Sequence, residues 1–237
     1  MIEIKSLTKL YKNKRGIRGI SLDIRDGEIL GLLGPNGSGK TTLMKALLSL
    51  VPDYSGDIIV DGNDLRDDLE NVLARTGALI EAPSVYKRLT AYQNLCLAAR
   101  RQEDTEDIDR VLDIVGLSQY KNERAGHFSL GMKQRLGIAA AVLGTPDIIV
   151  LDEPTNGLDI ESVVELREYI HKLNRENGTT FIISGHIASE IEKLCTRAAV
   201  IYEGEIIANE SIEKILSLYP SMEEFFLNKV RERRGSI

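Results

Sequence analysis

The sequence has no tryptophan and is only 5% aromatic, so its core has to be built mainly from Leu, Ile, Val and Ala. It has two cysteines, Cys96 and Cys195, far apart and without a second Cys or a His at ligand spacing. That excludes a thiolate metal site and a disulfide framework, and reads as reduced, buried thiols of a cytosolic protein. No apolar run approaches the ~20 residues needed to span a bilayer. The opening Met1-Ile2-Glu3-Ile4-Lys5 alternates like a strand and lacks the basic-then-apolar profile of a signal peptide. Such a chain moves nothing across a membrane alone; if it drives transport, another chain is the channel. A basic excess is also missing: 30 Lys and Arg against 36 Asp and Glu leave a net charge of −6, which argues against broad nucleic-acid binding. There is no internal repeat, low-complexity stretch or Pro/Ser-rich linker, so the chain reads as one domain with subdivisions.

What is present is the balance of an ordinary globular protein, 43% hydrophobic and 28% charged over 237 residues. Ile2 and Ile4 alternate with polar residues, as do Ile20, Leu22 and Ile24, which predicts two early strands. Glu28 to Leu33 is a near-continuous apolar run ending in Gly34, the pattern of a strand buried on both faces of a parallel sheet. A helix from about Lys40 to Leu50 follows, then strands at Gly56–Asp61 and Thr76–Glu81. From about Thr90 to Gly144 the pattern turns helical. Ile108, Val111, Leu112 and Val115 share one helical face, with Gly116 as a C-terminal stop. Strands return at Asp147–Asp152 and Thr179–Ser184, alternating with helices near Glu161–Asn177 and Ile187–Cys195. Arg197–Ile207 reads as a hairpin turning at Glu203-Gly204, and the last 25 residues as short helices. Strand–helix alternation at both ends implies an α/β core with a mostly parallel sheet and an inserted helical part.

Two motifs carry chemistry directly. Gly34-Pro35-Asn36-Gly37-Ser38-Gly39-Lys40-Thr41, followed by Thr42, matches the Walker A phosphate loop. Its glycines let backbone N–H groups close on phosphate oxygens, and the next helix adds its positive end. Lys40 would reach the β- and γ-phosphates and the Thr41 hydroxyl would ligate Mg²⁺. Ile148 to Leu151 is an apolar run ending in Asp152-Glu153. Asp152 fits the Walker B carboxylate that holds Mg²⁺, and Glu153 would polarise the attacking water. Acidic residues after a strand are often mere turn residues; the upstream phosphate loop gives this pair its meaning. Together the motifs specify a P-loop NTPase and no more.

The discriminating segment is Phe128-Ser129-Leu130-Gly131-Met132-Lys133-Gln134-Arg135, which resembles the signature of the ATP-binding cassette (ABC) family. Ser129 can cap the helix beginning near Gly131, making another anion-binding helix terminus. The resemblance implies that Ser129 and Gly131 bind the γ-phosphate held by an opposite subunit. It places Tyr11 where the family stacks an aromatic on adenine, Asn156-Gly157-Leu158-Asp159 at the D-loop, and His186 at the switch histidine that contacts the γ-phosphate. Taken singly, Tyr11 is an ordinary tyrosine, Asp159 a helix cap and His186 a loop residue. Six motifs in order over nearly the whole chain supply the functional reading. The implied architecture is a single ABC ATPase domain, residues 1–237. It comprises a RecA-like, mostly parallel core (about 1–82 and 145–210) with an antiparallel β subdomain, a helical subdomain (about 83–144) and short C-terminal helices (about 211–232).

Two departures from the family pattern narrow the reading. Glu81 stands where the family carries a Gln that touches Mg²⁺ and the attacking water, and the signature has Leu130 for Gly and Met132 for Gln. These forms resemble the branch that exports lantibiotics and bacitracin. The segment Ser221 to Leu227 resembles that branch's ending and equally reads as a plain amphipathic helix. The resemblance thus implies an ATPase that uses ATP and Mg²⁺ and pairs head-to-tail as a homodimer when ATP is bound. It would dock on separately encoded permease subunits at about Ala82–Asn94, through apolar residues such as Val85, Tyr86 and Leu89, and bind no nucleic acid. It would sit at the cytoplasmic face of the membrane, held there by the permease. The rivals are a soluble ABC-type ATPase of translation or DNA repair, which usually has two cassettes or a coiled-coil insertion, and an importer subunit, which often adds a regulatory domain.

Overall fold

The computed structural model describes residues 1–51, 53–99 and 102–235. The chain divides into two compact units, one formed by Met1–Leu73 with Thr180–Ile237 and the other by Ala74–Thr179.

The first unit contains an antiparallel sheet of order β2-β1-β4-β5, built from β1 (Ile2–Leu10), β2 (Gly16–Ile24), β4 (Ser55–Val60) and β5 (Asn63–Asp64). Its buried face holds the apolar set read from the alternation, Ile2, Ile4, Ile20, Leu22 and Ile24, and also Leu7. Leu7 is one residue out of step with Ile2 and Ile4. The register shifts between Ile4 and Leu7, where Ser6 takes a left-handed φ of 50°. This bulge returns Leu7 to the inner face, because a one-residue slip otherwise turns a side chain outward. Gly56 packs against the bulge: a Cβ there would lie 2.5 Å from the Lys5 carbonyl oxygen.

The same unit holds the strand predicted to be buried on both faces. All five residues of β3 (Ile29–Leu33) are buried. It pairs in parallel with β8 (Thr180–Gly185) and β9 (Arg197–Tyr202), and β9 pairs antiparallel with β10 (Glu205–Ser211). Helices α1 (Lys40–Leu47), α7 (Ala188–Leu194), α8 (Ile212–Leu218) and α9 (Met222–Gly235) complete the unit, and α2 (Leu69–Ala74) runs to its end. The observed α1 is one turn shorter than expected. The Leu48 to Leu50 amides bond back to carbonyls of the last turn, and Ser49 takes φ 54°.

In the second unit β6 (Thr76–Leu79) and β7 (Ile148–Leu151) pair in parallel, in register from Thr76↔Ile148 to Leu79↔Leu151. The helices are α3 (Ala91–Ala98), α4 (Ile108–Ile114), α5 (Leu130–Val142) and α6 (Ile160–Asn177). α3 begins with a capping box between Thr90 and Gln93. α5 lies so close to β6 that a Cβ on Gly77 would be 1.8 Å from the Ala141 carbonyl oxygen. The apolar face read from Ile108, Val111 and Leu112 is fully buried, and Gly116 follows α4 with φ 66°.

One ion pair ties the strands of the first unit together. Arg197 on β9 grips Glu28 through Nε–Oε1 at 2.6 Å and Nη2–Oε2 at 2.7 Å, and also donates to the Asp23 carbonyl and to Asn209. Burial acts to lower the guanidinium pKa, but the Glu28 carboxylate prevails and raises it. The two side chains are only 14% and 11% exposed, so removing one partner strands the other's charge. Arg197→Ala is expected to cost about 3–5 kcal/mol in urea unfolding, the magnitude for a broken buried pair. An Arg197→Met/Glu28→Leu double variant should recover most of that loss.

Candidate functional site

In the first unit the phosphate loop begins where β3 ends. The Gly34 amide donates to the Gly185 carbonyl at 3.3 Å, tying the loop to the end of β8, immediately before His186. A Cβ on Gly34 would come 2.2 Å from the Ile201 carbonyl oxygen, so this position requires glycine. The Ser38 amide closes a turn on the Pro35 carbonyl at 3.1 Å, and the Gly204 amide donates to the Ser38 carbonyl at 2.9 Å. The turn between β9 and β10 therefore holds the loop in place. Gly39, with φ 113°, is the N-cap of α1 and supplies no side-chain cap, leaving the positive end of that helix turned to the loop.

Within this loop Lys40 is only 4% exposed. Its ammonium donates to the Gly34 carbonyl at 2.8 Å and to the Pro35 carbonyl at 3.2 Å. The Ser38 hydroxyl is buried and has no hydrogen-bond partner among the described residues. A buried hydroxyl without a partner is costly and marks a place where a polar ligand belongs. Thr41 and Thr42 follow on the first turn of α1, half-buried. Tyr11 opens the β1–β2 turn and is 40% exposed, with the Lys9 ammonium 5.7 Å from its ring centroid. His186 is exposed just past β8.

The second unit gathers the carboxylates. β6 ends at Leu79 and β7 at Leu151, opposite each other, and the Asp152 amide donates to the Leu79 carbonyl at 2.8 Å. Glu81 and Glu153 each follow two residues after these matched ends, so both leave from the same end of the strand pair. Both take left-handed backbone, φ 60° at Glu81 and φ 47° at Glu153. Non-glycine residues pay about 1–3 kcal/mol for such a conformation, and functional sites are where it is retained. Asp152, between Leu151 and Glu153 in the chain, is 6% exposed. The Glu153 carboxylate accepts from Asn156 Nδ2 at 2.5 Å, and its carbonyl accepts from Gln134 Nε2 at 3.5 Å. Among the described residues no three His, Cys, Asp or Glu side chains form a group able to hold a metal ion by themselves.

The signature segment lies in the same unit. Ser129 is the N-cap of α5, its hydroxyl accepting from the Met132 amide at 3.2 Å. A Cβ on Gly131 would be 2.7 Å from the Gly157 carbonyl oxygen, so the start of α5 rests on the loop before α6. Asp159 is the N-cap of α6 and accepts from the Ser162 amide at 2.9 Å and the Ser162 hydroxyl at 2.6 Å. Arg135 on α5 donates to Asp159 at 3.0 Å and also to the Ser162 hydroxyl. The Ser162 contacts foremost, with Arg135 adding to them, hold the Asp159 carboxyl below the usual range.

The sites read from the sequence therefore fall into two sets. Gly34 to Thr42, Tyr11 and His186 belong to the first unit; Glu81, Asp152, Glu153, Ser129, Gly131 and Asp159 belong to the second. The polar residues that position this second set, Asn156, Gln134 and Arg135, were not assigned roles in the sequence. Arg135 and Gln134 were visible only as part of the signature, and Asn156 only as part of the D-loop.

The profile of the family described as "ABC transporter" matches residues 17–156. The lantibiotic transport ATP-binding protein SrtF of Streptococcus pyogenes is 40% identical over 232 residues, 97% of this chain and 97% of its own length. The bacitracin transport ATP-binding protein BcrA of Bacillus licheniformis is 42% identical over 209 residues, 87% of this chain and 68% of its own length. Among solved structures, the ATP-binding cassette MJ0796 in a dimeric post-hydrolysis state bound to ADP and Pi superposes with a TM-score of 0.79. It is 26% identical and covers 90% of this chain and 99% of its own.

The geometry makes two predictions. Because Ser162 outranks Arg135 in stabilising the Asp159 carboxylate, Ser162→Ala should raise its titration midpoint more than Arg135→Gln, as read by carboxyl ¹³C NMR. The ionised cap stabilises fully above the ordinary Asp pKa of 3.8 and is lost as pH falls through the depressed value. Second, Glu153→Gly relieves the left-handed strain. It should raise thermal stability by about 1 kcal/mol while removing the carboxylate.

Proposed function

The chain belongs to the ABC transporter family, and from that membership we propose that it powers the export of antimicrobial peptides of the lantibiotic and bacitracin type. It is an ATP-binding subunit of an ABC transporter, and its reaction is hydrolysis of ATP to ADP and phosphate. The buried Ser38 hydroxyl beside Lys40, in a loop facing an uncapped helix end, is the observation that carries nucleotide binding. Polyphosphate oxygens are acceptors of the kind that this hydroxyl lacks.

In the proposed mechanism the loop amides, Ser38, Lys40 and the start of α1 hold the phosphates, while Tyr11 stacks on the base. Mg²⁺, when bound, neutralises charge developing on the phosphoryl oxygens; Thr41, Asp152 and Glu81 are its proposed oxygen ligands. Glu153 takes the hydrogen bond of a water whose oxygen attacks the γ-phosphorus. The bond to the β–γ bridging oxygen breaks, ADP leaves with that electron pair, and the water proton passes to Glu153. His186 donates to the γ-phosphate. Ser129 and the Gly131 amide, at the capped start of α5, bind the γ-phosphate of a second copy, and Asp159 belongs to that same contact surface. The dimeric ADP-bound neighbour supports this pairing.

No helix among the described residues is long and apolar enough to cross a membrane. We assign the membrane attachment to a separate permease at the cytoplasmic face. The second unit offers an apolar groove of about 120 Å³ lined by Val85, Tyr86, Leu97, Leu136 and Ala140. Tyr86 and Leu97 are 64% and 60% exposed. Val85 and Tyr86 were anticipated as anchors and Leu97 was not; Leu89, the third expected anchor, does not line the groove. Asn94 shapes the rim by accepting from the Tyr86 amide and donating to the Thr90 carbonyl, both at 2.8 Å. The named relatives are transport proteins, which favours this reading over a soluble role in translation or DNA repair.

Lys40→Ala should abolish ATP binding in calorimetry. Glu153→Gln should bind ATP but reduce turnover by at least about 100-fold, within the range of a lost general base, and accumulate as an ATP-dependent dimer in light scattering. Normal hydrolysis by that variant would remove Glu153 from the mechanism. A strain lacking the protein should be hypersensitive to bacitracin or a lantibiotic and rescued by the wild type but not by Glu153→Gln; unchanged sensitivity across a panel of such peptides rejects the cargo.

A further inference from the structure

Five of the ten residues from Lys9 to Arg18 are basic and none is acidic, in a chain whose net charge is −6. The fold turns part of this run into the wall of a crevice of about 560 Å³ within the first unit. Lys14, Arg15 and Arg18 line it from the β1–β2 side, Asn36 and Gly37 from the phosphate loop, and Glu203 from the β9–β10 turn. The crevice thus shares two residues with the loop that holds phosphate.

The three cations do different work. Arg18 is a clamp: its guanidinium donates to the Glu203 carbonyl at 3.1 Å and to the Lys14 carbonyl at 2.7 Å, fixing the turn to the β9–β10 hairpin. The turn is closed further by the Tyr11 amide on the Arg15 carbonyl at 2.8 Å and by the Arg15 amide on Asn13 Oδ1 at 3.0 Å. Lys14 holds φ 61° within it. Lys14 and Arg15 are left exposed, and among the described residues neither side chain has an ion-pair partner. Against them the crevice presents a single acidic side chain, Glu203. A preorganised hollow with two uncompensated cations takes an anion, and the anion nearest by construction is the polyphosphate on the loop it shares.

We propose that Lys14 and Arg15 form an outer electrostatic clamp on the nucleotide's polyphosphate, adding to the inner grip of Lys40. The inference rests on the phosphate-loop reading above. It assigns the β1–β2 turn two tasks, base stacking by Tyr11 and charge capture by the residues three and four positions later. The contact is solvent-exposed, so it should be screened by salt over a Debye length of about 10 Å at 0.1 M.

The test is calorimetric binding of ATP to the wild type, Lys14→Gln/Arg15→Gln and Lys40→Ala at 50 and 300 mM NaCl, with melting curves to verify folding. Glutamine removes the charge but keeps a polar side chain, and the Arg18 clamp stays because it rests on the Lys14 backbone carbonyl. The double variant should raise the Kd for ATP about three- to tenfold at the lower salt, with the gap narrowing at the higher. An unchanged Kd, with Lys40→Ala still abolishing binding, overturns the outer clamp and leaves the phosphate loop standing. Binding that survives Lys40→Ala overturns the phosphate-loop reading itself. The same substitutions in a Glu153→Gln background give a further arm. Unchanged ATP affinity with loss of the ATP-dependent dimer refutes the nucleotide contact and assigns the basic turn to an acidic surface of a second copy.

Discussion

Lys40 carries a full positive charge into a position where only 4% of the residue is exposed. A charge so placed has to be solvated by fixed dipoles or by a counter-ion. The Gly34 and Pro35 carbonyls accept from its ammonium, and they can do so only because the chain doubles back between β3 and α1. That reversal dictates much of the first unit. It needs glycine at 34, where Ile201 leaves no room for a Cβ, and at 39, where φ reaches 113°. It needs β3 to stop at Leu33, held on both sides by parallel neighbours. It also needs the β9–β10 turn to pin the Ser38 carbonyl. The ammonium then lies in the same loop as the Ser38 hydroxyl, which has no partner among the described residues, and that hydroxyl is where the proposed phosphate would be met.

The second unit reaches a comparable end by strain. Glu81 and Glu153 follow the matched ends of two parallel strands and both adopt left-handed backbone. Asparagine or glycine would hold such positions at lower cost. A glutamate retained in both places gives the strand ends a carboxylate each, at about 1–3 kcal/mol of strain apiece. The surroundings absorb that strain through Asn156 on the Glu153 carboxylate and through Gln134 on the Glu153 and Pro154 carbonyls. The strands themselves are bound closely to α5 through Gly77, so the carboxylates leave from a rigid base.

Local signals in the sequence were sufficient for many of the elements, though β5 and α2 were not read from it. The five apolar residues of β3, the cap at Ser129, the turn at Glu203-Gly204 and the face of α4 are all short-range patterns, and each is found at or within two residues of its expected place. Contacts between distant segments left no such trace. Nothing in the alternation of β1 announces the bulge at Ser6, because the bulge depends on β2 and β4 as neighbours. The Arg135–Asp159–Ser162 group joins residues 24 and 27 apart, and an Arg inside a signature reads as surface charge until the fold is known. The basic turn at Lys14-Arg15 was passed over for the opposite reason. Its charges are ordinary in sequence and become distinctive only when the hairpin carrying Glu203 closes the crevice around them.

The altered signature shows how far such a motif can vary before its geometry fails. The helix start depends on two backbone features, the Met132 amide that reaches the Ser129 hydroxyl and the close approach of Gly131 to the Gly157 carbonyl. At position 132 the amide makes the cap, so methionine serves as well as glutamine. At position 130 the side chain points outward and is 69% exposed. Leucine there leaves the amide in place and favours the helix over glycine by up to about 1 kcal/mol. At position 131 a Cβ would press 2.7 Å from a carbonyl oxygen of the neighbouring loop. Any residue larger than glycine would push the signature helix off the segment that carries Asp159. The two substituted positions are therefore those where the backbone acts alone or the side chain has room. The two retained ones, Ser129 and Gly131, are those where the side chain, or its absence, makes the contact.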